Sequence, residues 1–172
     1  MASSGGIALL KKDRIISFHG INLNELVLHI PHAKRLGLRF IEKRGDNLVI
    51  EMPYSPELEV IPDTGLMANG AITAFLDTAL GAAVSDQFEV FRRIATLDLR
   101  VDYFDKPRPH SAVRVKTRCL KVTDQIVFVQ GDAYCEDESV PIAHAVAAFS
   151  HTELLLPGKD APETKSDVGQ IS

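Results

Sequence analysis

The chain has 172 residues, of which 45% are hydrophobic, and a net charge of −4. This apolar content excludes a disordered protein, and the lack of a basic bias argues against a nucleic-acid-binding protein. No apolar run approaches the about 20 residues of a membrane span, and the first apolar patch precedes the first charges, which is the wrong order for a signal peptide. We therefore expect a cytoplasmic protein without a nucleic-acid or membrane partner.

The composition along the chain predicts one folded domain at 14–155. Residues 1–13 begin with small polar residues, and residues 156–172 are rich in proline, glycine, serine and charge, so both segments are predicted to be flexible tails. The two cysteines, Cys119 and Cys135, lack the spacing of a metal site or a disulfide framework. We expect both to be free thiols.

The first third of the chain predicts a short helix followed by a hairpin or a long bent strand. Asn22 is a helix-capping residue, and apolar residues follow at 23, 26, 27 and 30. Pro31 either ends this helix or opens a second turn that reaches Leu36, and Gly37 is a good terminator. Residues 38–52 form two strand-like runs on either side of a turn at 45–47. A proline-rich loop is predicted at 53–65.

Residues 69–85 predict a buried helix, because they are apolar on nearly every face. Asp77 is its only charged residue. A buried carboxylate is costly unless it has a hydrogen-bond partner or access to water. Thr73, Asp77 and Gly81 are spaced by four residues and so share one helix face. We expect this face to border a cleft, unless Asp77 has only a structural role.

The second half of the chain predicts four strands, at 96–103, 111–122, 126–134 and 140–151. In the first, alternation places Leu97, Leu99, Val101 and Tyr103 on one face and Thr96, Asp98, Arg100 and Asp102 on the other. The short connections predict antiparallel neighbours. The order of elements indicates an α+β fold in which one sheet covers one central helix.

Four strings in this order resemble the hotdog-fold acyl-CoA thioesterases of the phenylacetate-pathway, or PaaI-like, type over about residues 23–153. They are LVLHIPHAKRLGL at 26–38, GLMANGAITAFLDTALG at 65–81, ATLDLRVDYFDKP at 95–107 and IAHAVAAF at 142–149. The resemblance implies an antiparallel five- to six-stranded sheet wrapped around the central helix. It also implies a homodimer joined edge to edge, or a homotetramer built from such dimers, with active sites at the dimer interface.

The implied activity is hydrolysis of acyl-CoA or aryl-acyl-CoA thioesters, without a metal or any cofactor other than the coenzyme A of the substrate. The implied catalytic residue is Asp77, either as a general base for water or as a nucleophile that forms a transient anhydride. The chain departs from the family at two positions. Ala68 replaces the family's His, and Pro62 stands where some relatives have a catalytic Asn.

The candidate substrate-binding residues lie on both sides of Asp77 in the sequence. The list is Ala68, Asn69, Gly70, Thr78 and Thr96. A backbone amide near Gly70 would face a thioester carbonyl, since the first amides of a helix are unpaired donors. The alternative is that Asn69-Gly70 is ordinary turn chemistry. Thr96 either orients water beside the Asp77 of the partner chain or is an outward-facing strand residue, and the second interpretation is favoured slightly.

Two other functions remain open from the sequence. The loss of the family's His and Asn favours a protein that binds acyl-CoA without hydrolysing it, as a sensor or scaffold. A hotdog hydratase needs a His paired with an acid, and no His stands at a matching position. The basic residues at 100–118 either bind coenzyme A phosphates or form a solvated sheet face, and we favour the solvated face.

Overall fold

The computed structural model describes residues 30–89 and 92–153. The predicted tails, and the predicted helix before residue 30, lie outside these residues. The described elements are α1 (Pro31–Arg35), β1 (Arg39–Arg44), β2 (Asn47–Met52), α2 (Asn69–Ser85), β3 (Arg92–Tyr103), β4 (Val113–Val122), β5 (Ile126–Tyr134) and β6 (Ala143–Glu153). A single 3₁₀ turn, Pro56–Leu58, lies in the predicted loop.

The six strands form one antiparallel sheet in the order β1-β2-β4-β5-β6-β3, and α2 packs against five of them. This confirms the predicted α+β fold, with a sheet wrapped around a central helix. Pro31 opens a helical turn, and Gly37 ends it with a φ of +68°. The hairpin of β1 and β2 also forms as predicted, with a positive φ at Gly45.

The pairing of β3 differs from the prediction. The strand does not pair with β4, its neighbour in sequence, but with β6. Pro107 and Pro109 lie in the connection between β3 and β4, and proline cannot donate a ladder hydrogen bond, so this segment does not form a tight hairpin. Strand β3 is therefore an edge strand, and its outer edge has no partner strand among the described residues.

The core lies between α2 and the inner face of the sheet. The helix contributes Phe75, Leu76 and Leu80, each with no exposed surface. Alternate residues of β4 and β5 face them, as the period of two requires. Burying each large apolar side chain stabilises the fold by about 2 kcal/mol. Cys135 is buried and Cys119 is half-buried, and both are free thiols as predicted.

Gly131 on β5 lets the helix approach the sheet. A side-chain carbon there would lie 2.9 Å from Val115 Cγ2 and 3.2 Å from Leu80 Cδ2. The C-terminal end of α2 is held by an ion pair, in which Lys43 Nζ lies 2.6 Å from Asp86 Oδ2. Burial raises the pKa of the Asp86 carboxyl, and Lys43 opposes this effect.

The loop before α2 is closed by one carboxylate. Glu59 Oε1 accepts a hydrogen bond from the Tyr54 hydroxyl and another, at 2.9 Å, from the amide of Gly65. The backbone of Glu59 also pairs with Met67. The hydrogen bond from Tyr54 lowers the pKa of Glu59, and Glu59 raises the pKa of Tyr54 to about 12. These contacts fix the segment that leads into the helix.

Replacing Gly131 with alanine is expected to destabilise the protein by about 1–3 kcal/mol, because the new methyl group overlaps the buried Val115 side chain. The matched control is Gly81→Ala in α2, where a methyl group would lie 3.5 Å from its nearest neighbours. This control is expected to be neutral or to stabilise by up to about 1 kcal/mol. Urea unfolding of both variants measures the difference, and equal effects would contradict this account of the helix–sheet contact.

Tyr54→Phe is expected to make the free energy of unfolding depend less on pH in acid. Since the folded pKa of Glu59 is lowered from 4.5, its contribution is present above pH 4.5 and is lost as the pH falls through the folded value. The variant lacks the donor that contributes most to this lowering. Its melting temperature should fall less steeply than that of the wild type below pH 4.5. If the melting temperatures of the two proteins fall equally steeply below pH 4.5, the contact between Tyr54 and Glu59 does not stabilise the loop.

Candidate active site

One face of α2 lies along the inner side of the edge strand β3. This face carries the predicted stripe of Thr73, Asp77 and Gly81. The contacts run from one end of the strand to the other: Thr73 with Tyr103, Asp77 with Thr96, and Gly81 beside Ile94 and Phe149. The helix and the strand therefore run in opposite directions along a shared seam, which we call the α2–β3 seam.

Asp77 is held within this seam by Thr96 of the same chain. The Thr96 hydroxyl donates a hydrogen bond of 2.8 Å to Asp77 Oδ1. This placement differs from the expectation that Thr96 serves the Asp77 of a partner chain. Asp77 is half-buried, and no other described residue donates a hydrogen bond to it. Its second oxygen, Oδ2, therefore keeps its capacity to accept a hydrogen bond from water.

A β-bulge turns Thr96 toward the helix. Thr96 lies opposite Phe149 and Asp98 lies opposite Ala148, so Leu97 has no partner in the register. The extra residue shifts the alternation by one position, as bulges do. The prediction that Thr96 faces outward with Asp98 is therefore wrong. The prediction that Leu97 shares one face with Leu99 is also wrong, since the bulge falls at Leu97, which is 58% exposed.

The N-terminus of α2 presents free amides to open space. Ala68 is the N-cap residue, and no side chain among the described residues caps the helix. The Ala68 carbonyl accepts hydrogen bonds from the amides of Ala71 and Ile72, whereas the amides of Asn69 and Gly70 have no acceptor in the described part of the chain. Nothing lies within 4 Å of the position of a side-chain carbon on Gly70. Gly70 is itself exposed, so this end of the helix is accessible to a ligand.

Tyr103 belongs to the same seam, although the sequence analysis did not assign it a role there. Its hydroxyl donates to the Asn69 carbonyl at 2.8 Å and lies 2.7 Å from Thr73 Oγ1. Thr73 Oγ1 also lies 2.9 Å from the Asn69 carbonyl oxygen, so the three oxygens share two hydroxyl protons. The available signal was that Tyr103 is the one residue with a polar atom on a face otherwise predicted to be apolar.

Two other sequence candidates are not brought to Asp77. Thr78 donates its hydroxyl to the Ala74 carbonyl of its own helix at 2.9 Å, so its hydrogen bond is made within α2. Pro62 is exposed in the loop closed by Glu59 and has no polar side chain to replace an Asn. The geometry thus collects Asp77, Thr96, Asn69 and Gly70 along the seam and leaves out Thr78.

The basic residues of the strand region mostly lie in ion pairs. Four of the six are paired: Arg100 with Asp102, Arg108 with Glu136, Arg114 with Glu51, and Lys116 with Glu138. An open groove of about 570 Å³ on the outer sheet face is lined by as many acidic as basic side chains. This arrangement supports the interpretation as a solvated face rather than a phosphate site.

The described residues contain neither a candidate metal site nor a helix that could span a membrane. Residues 30–89 and 92–153 contain no group of three or more His, Cys, Asp or Glu side chains placed to hold a metal ion. Within the same part of the chain, no helix has both the length and the apolar character needed to cross a membrane.

Comparisons with known proteins find a family and solved structures that share this fold. The family model of the thioesterase superfamily matches residues 64–142. A protein from Pseudomonas aeruginosa is 34% identical, with 74% of this chain and 95% of that chain covered and a TM-score of 0.68. A thioesterase from Haemophilus influenzae is 20% identical, with 78% and 91% covered and a TM-score of 0.69. A comparison with curated protein sequences finds no match.

A mutant of the phenylacetic acid degradation protein PaaI from Thermus thermophilus is similar in fold, at 16% identity, with 70% of this chain and 97% of that chain covered and a TM-score of 0.59. The family-model match spans the whole seam, from Asn69 to Tyr103. Thioester hydrolysis is the reaction class that this family supports. The chain belongs to the thioesterase superfamily and has its hotdog-type fold.

Proposed function

We propose that the protein hydrolyses acyl-CoA or aryl-acyl-CoA thioesters to the free acid and coenzyme A. The observation that carries this proposal is the hydrogen bond from Thr96 to Asp77, on a helix that is otherwise apolar. An apolar helix does not need this carboxylate for packing, and burial of a charge has a cost. A carboxylate that is half-exposed and oriented by a neighbour supports a chemical role. The proposed reaction needs no cofactor.

In the proposed reaction, the thioester carbonyl oxygen accepts a hydrogen bond from the free amide of Gly70. Asp77 Oδ2 accepts a proton from water while the water oxygen attacks the carbonyl carbon. The negative charge that develops on the carbonyl oxygen strengthens its hydrogen bond to the amide. The C–S bond then breaks, and the thiolate of coenzyme A takes the proton as it leaves. Thr96 holds Oδ1 and so keeps Oδ2 directed at the water.

Asp77 as a nucleophile is the alternative chemistry. The carboxylate would attack the carbonyl carbon and release the thiolate, and water would then cleave the resulting anhydride. A single turnover in water labelled with oxygen-18 separates the two routes. Label in the Asp77 carboxylate, or an acyl group found on the protein after rapid quenching, supports the anhydride, whereas label only in the acid product together with no acylated protein supports direct attack by water.

We propose that the complete site combines two copies of the chain. Within one copy, Gly70 and Asp77 are seven residues apart on the helix, or about 10 Å along its axis. Between them on that face lies Thr73, which is in contact with Tyr103. One thioester in a single copy would therefore have to pass over these two side chains to reach both groups.

The edge of β3 supports the same proposal. This 12-residue strand has a free outer edge among the described residues, and Leu97 is exposed on it. An unpaired edge with an exposed apolar side chain favours pairing with another strand. Pairing of two β3 edges about a twofold axis places the Tyr103 end of one copy near the Arg93 end of the other. The helix N-terminus of one copy then approaches the Asp77 of its partner. Whether two such dimers join into a tetramer is a question for light scattering.

Asp77→Asn is expected to lower kcat for the preferred acyl-CoA by at least about 100-fold, because the amide cannot accept the proton of water. Turnover is measured with a panel of short, long and aromatic acyl-CoAs. The matched control is Asp98→Asn, an exposed carboxylate two residues from Thr96 on the outer side of the same strand. The control should keep wild-type activity, and Thr96→Ser should resemble wild type more closely than Thr96→Val. Unchanged turnover in Asp77→Asn would exclude the proposed mechanism.

Mixed dimers test the shared site. Gly70→Pro removes the amide hydrogen at a position in the first helical turn, where proline is tolerated. Asp77→Asn and Gly70→Pro chains are each expected to keep only a small residual activity alone. Coexpressed, half of their dimers are mixed, and each mixed dimer has one intact site out of two, so about a quarter of wild-type activity should return. If each site lay within one chain, no activity would return.

The second candidate function is binding of acyl-CoA without hydrolysis. The observation that favours it is Ala68, whose methyl group stands at the helix N-cap where the family has a His, so no side chain is available there to polarise a carbonyl. Tight binding of acyl-CoA by the wild type, measured by calorimetry with no release of free thiol, would favour this function over hydrolysis.

A further inference from the structure

The Asn69 carbonyl and the Gly70 amide are the two ends of one peptide group. The Asn69 carbonyl oxygen lies 2.8 Å from the Tyr103 hydroxyl and 2.9 Å from the Thr73 hydroxyl, and the two hydroxyls are 2.7 Å apart. Because each hydroxyl has one proton, one of them donates to the carbonyl and the other donates either to the carbonyl or to its neighbouring hydroxyl. A carbonyl in the first turn of a helix ordinarily accepts only from the amide four residues later. The amide end has no acceptor among the described residues, and Gly70 is exposed. The peptide is thus held strongly on one side and unoccupied on the other.

Hydrogen bonds that a peptide oxygen accepts also change the donor strength of the N–H in the same peptide group. The peptide group is planar because the nitrogen lone pair is delocalised onto the oxygen. Donors at the oxygen favour the charge-separated form, which makes the N–H a stronger hydrogen-bond donor, and chains of hydrogen bonds strengthen one another in this way. The same two contacts fix the plane of the peptide at a helix end, where fraying is common. The Gly70 N–H is therefore both polarised and oriented.

We propose that Tyr103 and Thr73 are positioning residues that strengthen and aim the Gly70 amide as the donor to the substrate carbonyl. The inference rests on the proposed thioester hydrolysis and adds residues that do not touch the substrate. Strand β3 then holds both halves of the chemistry in each chain, with Thr96 on the carboxylate and Tyr103 on the amide. A change to the hydroxyl of Tyr103 or of Thr73 acts on the reaction through the Asn69-Gly70 peptide.

The first measurement needs no substrate. Asn69-Gly70 is the one Asn-Gly pair of the chain, so labelling asparagine with carbonyl carbon-13 and glycine with nitrogen-15 selects a single amide resonance. Tyr103→Phe and Thr73→Val are expected to move the Gly70 proton upfield, because the amide loses polarisation. Thr73→Ser retains the hydroxyl and should keep the wild-type shift. A Gly70 resonance that does not move in either Tyr103→Phe or Thr73→Val would overturn the proposal.

The second measurement is kinetic. Tyr103→Phe is expected to lower kcat about fivefold with KM unchanged, since the lost interaction strengthens as charge develops on the carbonyl oxygen. In a Gly70→Pro background the amide hydrogen is absent, so Tyr103→Phe should have no further effect. An equal loss in both backgrounds would assign Tyr103 a general structural role and overturn the proposal.

The two measurements separate this inference from the function on which it rests. If the wild type hydrolyses no thioester, the proposed function fails, while the Gly70 resonance still decides whether the hydroxyls act on the amide. If the wild type is active but the double-variant cycle shows no coupling, only the positioning role fails. Thermal melts show whether Tyr103→Phe is folded, and Thr73→Val provides the second variant if it is not.

Discussion

A single carboxylate on an apolar helix constrains the arrangement around it. Asp77 requires a hydrogen-bond donor and contact with solvent, since a charge buried without either is unstable. The edge strand β3 provides the donor, Thr96, and Asp77 stays half-exposed beside it.

The seam between α2 and β3 orders the site along one line. At one end, Gly81 lies beside Ile94 and Phe149 and closes the contact with apolar atoms. Asp77 follows in the middle, and the Asn69-Gly70 peptide lies at the far end. All three positions are on regular elements, which hold side chains more accurately than loops do. The loop that Glu59 closes contributes to the site only by fixing the segment that leads into the helix.

The local pattern of the sequence was sufficient for most elements. The helix at 69–85 follows from unbroken apolar character, and the hairpin around Gly45 follows from turn residues between strand-like runs. The same reasoning singled out Asp77, because its charge is isolated. Pairing of β3 with β6 was not predicted, since the alternation within a strand carries no information about which strand lies beside it. The roles of the site residues stay predictions.

The sequence by itself determined the elements, their order, the buried helix and the residue that carries charge within it, because these depend on neighbours at most a few positions away. The tertiary structure decided which side of β3 Thr96 occupies and that Tyr103 reaches the Asn69 carbonyl. The first depends on the bulge at Leu97, which is defined only by the register between β3 and β6, and the second depends on how α2 packs along β3. That register joins residues about 50 positions apart, beyond the reach of any local periodicity.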